Sequence, residues 1–148
     1  MEPRQNFHIV LVDDDSDDRF LFEEAVEGYQ NVEFEGMENG VVLMENLYTK
    51  NTLPDMIFLD LNMPEKDGRA CLLEIRRSKK LKDLPVIVFS TSSNRKDIEE
   101  TFELGANLYV TKPNSFTALK QIIDKVLNIN WEEYKPKTHR NKFVLSAS

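Results

Sequence analysis

Three stretches of the chain are apolar at nearly every position: Ile9-Val10-Leu11-Val12, Met56-Ile57-Phe58-Leu59 and Val86-Ile87-Val88-Phe89. Continuous runs of this length mark strands covered on both faces. Residues 32–37 behave differently, because Val32, Phe34 and Gly36 alternate with Glu33, Glu35 and Met37. Alternation leaves one face wet, so this strand belongs at the edge of a sheet. Residues 107–111 form a fifth, short strand. Between the strands the apolar period changes to that of a helix. In residues 16–28 the positions Phe22, Ala25, Val26 and Tyr29 recur at helical spacing, with Asp15 or Ser16 to cap the start and Gly28 the end. Residues 40–48 present Val41, Met44 and Tyr48 on one face. A helix follows the turn Met63-Pro64-Glu65-Lys66-Asp67-Gly68 and runs to about Lys79. Residues 94–104 carry a thin stripe, Ile98 and Phe102, that Gly105 stops. Residues 115–127 place Leu119, Ile122, Ile123 and Val126 on one face.

Strand and helix therefore alternate five times, which predicts parallel βαβ units in a doubly wound α/β fold of the flavodoxin-like kind. Right-handed crossovers and the amphipathic second strand at the edge select the order 2-1-3-4-5. Strands one and three then lie side by side. Winding reverses between them, and ligands of such sheets bind beyond the carboxyl ends of the strands at that point.

Both of those strands end in acids. Asp13-Asp14-Asp15 follows the first and Asp60 follows the third. Carboxylates at the mouths of buried strands need a counter-charge. Mg²⁺ suits them, since it prefers oxygen ligands and commonly takes one or two carboxylates plus water. Asp60 is a candidate nucleophile toward a phosphoryl group, giving an aspartyl-phosphate. The fourth strand ends in Ser90 and the fifth in Thr111-Lys112-Pro113. Lys112 would hold a phosphoryl oxygen as a point charge and Ser90 would donate a hydrogen bond to one.

Composition narrows the function further. The 148 residues are 41% hydrophobic and 30% charged, ordinary for a globular protein with one core. No apolar run reaches the length of a membrane span and Met1 to Asn6 is no signal peptide, so a cytoplasmic protein is expected. The single cysteine, Cys71, forms no internal disulfide and reads as inert packing. His8 and His139 lack metal-ligand spacing. No glycine-rich loop follows a strand, which argues against a nucleotide site. A net charge of −7 disfavours nucleic acid as a partner. The charge is uneven, however. Residues 129–148 hold two acids against four bases, including Lys135 and Lys137, so the first 128 residues stand at −9. Trp131, Tyr134 and Phe143-Val144-Leu145 make this tail apolar as well as basic. They are expected to pack on the sheet or across a dimer.

Four stretches together resemble the receiver domain of response regulators, the CheY-like phosphoacceptor of two-component signalling. They are Val12-Asp13-Asp14, Phe58-Leu59-Asp60-Leu61-Asn62-Met63-Pro64, Pro85-Val86-Ile87-Val88-Phe89-Ser90 and Tyr109-Val110-Thr111-Lys112-Pro113. The likeness spans residues 7–128. The division it suggests is a receiver domain over 1–128 and a tail over 129–148 with no separate output domain. It implies that Asp60 is the phosphorylated aspartate. Asp14 would bind Mg²⁺ directly and Asp13 largely through water, with the backbone carbonyl of Asn62 as a further ligand. Lys112 would contact the phosphoryl group, and Ser90 with Tyr109 would form a switch pair. In that switch the Ser90 hydroxyl moves toward the phosphoryl oxygen and the Tyr109 ring turns inward, which alters the face of the fourth helix, fifth strand and fifth helix. The phosphoryl donor would be a sensor histidine kinase or histidine phosphotransfer protein, and the readout a downstream target protein or a homodimer. Such a protein is no enzyme beyond its own modification and slow hydrolysis. Two departures stand out: Thr91 follows Ser90 where a small residue is common, and Asn114 follows Pro113 where phenylalanine is frequent.

Plainer roles exist for several of these residues. Asp15, Asp17 and Asp18 suit the start of a helix, where acids meet the positive end of its dipole. Two alternative functions also fit parts of the pattern. One is a Mg²⁺-dependent phosphatase with an aspartate nucleophile, for which Asp13 and Asp15 have the nominal spacing. The other is a receiver fold used as an unphosphorylated adaptor.

Overall fold

A computed structural model describes residues 6–134 and 139–147 of the chain. Five parallel strands form one sheet: β1 (Phe7–Val12), β2 (Val32–Met37), β3 (Met56–Leu59), β4 (Val86–Ser90) and β5 (Leu108–Thr111). Their order is β2-β1-β3-β4-β5, as the hydrophobic pattern predicts. The helices α1 (Ser16–Val26), α2 (Gly40–Thr49), α3 (Gly68–Arg77), α4 (Arg95–Glu103) and α5 (Phe116–Leu127) alternate with them. Every residue of β3 and β4 is buried, whereas β2 is mostly half-exposed at its edge.

Strand pleating divides the core in two. Val10, Val12, Ile57, Leu59, Val86 and Val88 point toward α2, α3 and α4. Ile9, Leu11, Met56, Phe58, Ile87 and Phe89 point toward α1 and α5. On the second side Phe22 of α1 is the hub. Its ring packs edge-on to Phe58 at 4.8 Å and to Phe89 at 5.7 Å, which fixes α1 over β3 and β4. On the first side Arg76 of α3 acts as a polar bolt. Its guanidinium donates to the carbonyls of Gly105 (2.8 Å) and Leu84 (2.7 Å) and to Asn107 Oδ1 (2.8 Å).

Three local expectations need correction. First, of the expected α2 face only Met44 is buried; Val41 and Tyr48 are 43% and 48% exposed, and Leu43 and Leu47 join Met44 against the core. Gly40 sets this roll. A Cβ there would lie 2.5 Å from Cys71 Sγ and 2.6 Å from the Lys66 carbonyl, so the helix start presses on α3 and turns its neighbours outward. Second, α1 ends at Val26 rather than at Gly28, and its cap, Glu27, keeps right-handed geometry. Gly28 is not used as a left-handed cap. Third, α3 stops at Arg77 because Ser78 is extended, its amide bonding back to Ile75. Cys71 is buried as expected, and burial pushes its thiol up to about 11, well out of the reactive range.

The tail packs on the sheet. Trp131 and Tyr134 lie in a short 3₁₀ turn, Trp131–Tyr134, and their rings meet at 5.5 Å against the α1–α5 side. Further on, the chain runs parallel to β5 with an isolated bridge between Tyr109 and Val144. Phe143 is completely buried. Lys135 and Lys137 lie outside the described residues, as do Met1 to Gln5.

Candidate functional site

Backbone ladders carry the two key acids to one edge. The amide of Asp13 donates to the Met37 carbonyl at 3.0 Å and that of Asp60 to the Val12 carbonyl at 3.0 Å. Pairing thus continues one residue past β1 and β3, where Val12 opposes Leu59. Asp13 and Asp60 consequently sit side by side, and both are buried, at 0% and 6% exposure. Asp14, beside them, is exposed. One carboxylate oxygen from each of the three lies within 4.8 Å of the others. Asp15 points elsewhere and caps α1, its side chain accepting from the Asp17 amide at 2.9 Å.

Lys112, just past β5, is the counter-charge. Its Nζ lies 2.7 Å from Asp13 Oδ2, 2.8 Å from Asp18 Oδ2 and 3.7 Å from Asp60 Oδ2. Asp13 Oδ2 is buried, and the Lys112 ammonium is the charge that faces it. Asp13 Oδ1, by contrast, accepts from the Asp15 amide at 3.0 Å. Asp18 lies in the first turn of α1, as expected from sequence, but it also pairs with Lys112, a role in the site that the sequence pattern does not assign.

Electrostatics follow from this crowding. Burial, then the neighbouring Asp13 charge, push Asp60 up to about 6, with Lys112 pulling the other way. Burial also raises Asp13, against the opposing pull of Lys112. Burial alone would lower Lys112, but its bonds to Asp13 and Asp18 hold it above the ordinary lysine value, so it stays charged. Three acids and one ammonium leave the pocket short of positive charge. The spacing of the three carboxylates fits one divalent cation, which would relieve that deficit.

The loop that presents Asp60 is tightly held. Gly68 donates its amide to the Leu61 carbonyl at 2.9 Å, and a Cβ on Gly68 would stand 2.3 Å from the Asp60 carbonyl oxygen. Only glycine fits there. Glu65, in the same turn, takes a left-handed backbone at φ 68. Gly68→Ala is expected to displace the Asp60 peptide and cost about 2 kcal/mol of stability through overpacking, read by chemical denaturation. Wild-type stability in that variant would show that the contact yields freely. Asn62 is exposed, and its backbone amide lies 3.5 Å from Asp60 Oδ1.

Ser90 is fully buried at the end of β4. Its carbonyl accepts from the Lys112 amide at 2.7 Å and its Oγ from the Ser92 amide at 3.1 Å. Tyr109 is also fully buried, and its hydroxyl donates to the Ser92 carbonyl at 2.8 Å. The ring is thus already inward, and Ser92 links it to Ser90. Thr91 and Asn114, the two departures, are exposed. Ser92 also donates to Asp97 Oδ2 at 2.6 Å, and Arg69 joins Asp97 and Glu100, which fastens the start of α4 to α3.

A doubly wound parallel sheet of order 2-1-3-4-5 with an acid cluster at its winding reversal defines a flavodoxin-like α/β protein whose site lies at that reversal. The chain belongs to the response regulator receiver domain family, whose model matches residues 9–124. It is 34% identical over 124 residues to response regulator Rcp1 of Synechocystis sp., a match covering 80% of this chain and 84% of Rcp1. Two solved structures are similar. The Mn²⁺-bound form of Rcp1 gives a TM-score of 0.76 at 32% identity, covering 82% of this chain and 95% of that one. The phosphorylated cyanobacterial phytochrome response regulator RcpA gives 0.75 at 36% identity, covering 87% and 93%. Among the described residues no helix is long and apolar enough to cross a membrane.

Proposed function

We propose that the chain is a receiver that accepts a phosphoryl group on Asp60 and changes its protein contacts in response. The observation that carries this is the placement of a buried carboxylate, Asp60, between two further acids and the Lys112 ammonium. A carboxylate oxygen of Asp60 would attack phosphorus, forming an acyl-phosphate bond as the bond to the donor breaks. With a phosphohistidine donor the leaving group is imidazole. Lys112 would swing from its carboxylate partners to the new phosphoryl oxygens, and Ser90 would donate its hydroxyl to one of them. A divalent cation held by Asp13, Asp14 and Asp60, with the Asn62 carbonyl as a further ligand, would supply positive charge against the phosphoryl oxygens. The donor would be a sensor histidine kinase or phosphotransfer protein. An open groove of about 180 Å³ lies beside Lys112, lined by Leu21, Phe89, Pro113 and Phe116. Output would pass through the α4–β5–α5 face to a downstream protein or a second copy of the chain.

The phosphatase alternative loses its second acid, because Asp15 caps α1 rather than facing Asp13's site. Adaptor use without phosphorylation would leave the buried Asp60–Asp13 repulsion with no purpose.

Incubation with acetyl phosphate and Mg²⁺ is the test. The expected product carries one hydroxylamine-labile phosphoryl group by intact mass. No adduct, or rapid multiple turnover of a phosphomonoester, would overturn the reading. The metal makes its own prediction. Mg²⁺ at a hundred times its Kd should stabilise the fold by about 2.7 kcal/mol, reversed by chelator. Asp13→Ala should remove most of that gain in a thermal melt, and a full gain in the variant would place the ion elsewhere.

A further inference from the structure

The tail is attached to the fold through Tyr109 itself. The Tyr109 amide donates to the Phe143 carbonyl at 2.9 Å, and the Leu145 amide donates to the Tyr109 carbonyl at 3.0 Å. Both hydrogen bonds of the bridge thus belong to one residue of β5. The side chains repeat the arrangement. Phe143 is completely buried, packed edge-on to Phe102 of α4 at 5.2 Å and tilted against the Tyr109 ring at 6.2 Å. Outside this contact Arg140 grips Glu99 of α4, with Nη2 2.6 Å and Nε 3.1 Å from Oε2. On the far side Lys125 of α5 donates to the Ser146 carbonyl at 2.7 Å. The segment 139–147 is therefore fastened to α4, β5 and α5 together.

This placement has an energetic consequence for the Tyr109 ring. Turning it outward would break its bond to the Ser92 carbonyl and open a void beside Phe143. A docked tail and an inward Tyr109 therefore stabilise each other. Ser92 relays the same state toward the acids, since its amide donates to Ser90 Oγ. In the phosphoacceptor reading the inward ring belongs to the phosphorylated form.

We propose that residues 139–147 are a built-in effector of the switch: docked on β5, they hold Tyr109 inward and so strengthen capture of the phosphoryl group at Asp60. This rests on the phosphoacceptor reading. Linkage makes the effect reciprocal, so an occupied phosphoryl site must tighten the tail by the same factor.

The test uses the full chain with Mg²⁺ and beryllofluoride, an acyl-phosphate mimic, titrated by calorimetry. Phe143→Ala is expected to weaken beryllofluoride binding about 10-fold, within the usual range of coupling between sites, and Arg140→Ala, a surface change that leaves the core intact, to weaken it less, about 3-fold. In wild type, beryllofluoride should slow hydrogen exchange at the Leu145 amide about 10-fold, matching the loss in Phe143→Ala. In a Tyr109→Leu background, adding Phe143→Ala should change affinity by less than about 2-fold, because the shared ring is gone. Equal or tighter binding by both tail variants, or exchange at Leu145 indifferent to beryllofluoride, overturns the effector role while leaving the phosphoacceptor reading intact. Failure of wild type itself to bind beryllofluoride overturns both.

Discussion

Asp60→Asn is expected to abolish phosphoryl uptake from acetyl phosphate and, at the same time, to make the metal-free protein more stable. The first effect follows from removing the attacking oxygen: a neutral amide is not a nucleophile toward phosphorus, and intact mass should show no adduct. The second follows from repulsion in the site. Asp60 is pushed up to about 6 from an ordinary 3.8, first by burial and then by Asp13. Between those values the native state holds a proton that the unfolded chain has lost, so stability falls as pH rises through that window. Above it the penalty is complete, and the shift corresponds to about 3 kcal/mol. Asparagine has no charge to bury. Its gain at pH 7.5 in chelator should approach that figure, roughly 5–10 °C in Tm for a domain of this size. Below about pH 3, under both values, the two proteins should melt together. An adduct that survives the substitution would move the acceptor away from Asp60. A metal-free variant no more stable than wild type would show that the carboxylate carries no penalty.

Phe143→Ala carries the second large effect, unusual for a residue so near a chain end. Terminal residues are commonly tolerant of change. Phe143 is not, because its ring is fully enclosed between Phe102 and Tyr109 and its carbonyl accepts from the Tyr109 amide. Truncating an enclosed phenylalanine costs about 3–5 kcal/mol where the surroundings cannot relax. Here the tail can release instead, which caps the loss at its docking free energy. A loss of about 3 kcal/mol in chemical denaturation is expected, against less than about 0.5 for Val144→Ala, whose side chain is 47% exposed. Equal effects of the two would mean that the tail is not held by its aromatic anchor.

The same contrast between neighbouring residues explains what could be read from sequence. Continuous runs such as Val86–Phe89 reported burial directly, and the alternation of residues 32–37 correctly placed β2 at the edge but failed at its end, where Met37 is buried and Gly36 exposed. Helix faces were less secure. In α2 six apolar residues surround most of the helix, so periodicity could not choose between Val41–Tyr48 and Leu43–Leu47; contact with Cys71 at Gly40 chose. Asp13, Asp14, Asp60 and Lys112 were legible because each ends a strand. Asp18 was not, since an acid in a first helical turn already has an adequate local explanation. Its bond to Lys112 spans 94 positions, which no local pattern reveals.

By itself the sequence determined the strand count, the edge position of β2, the winding reversal and the four charged residues gathered there. These follow from local periodicity and from the handedness of crossovers, which leave few topologies open. Tertiary structure alone decided three things. It set the roll of α2, made Asp18 a second partner of Lys112, and drew the basic tail onto β5 with Phe143 behind Tyr109. Each depends on contacts between distant segments, whose free energy appears only once the sheet has brought the partners within reach.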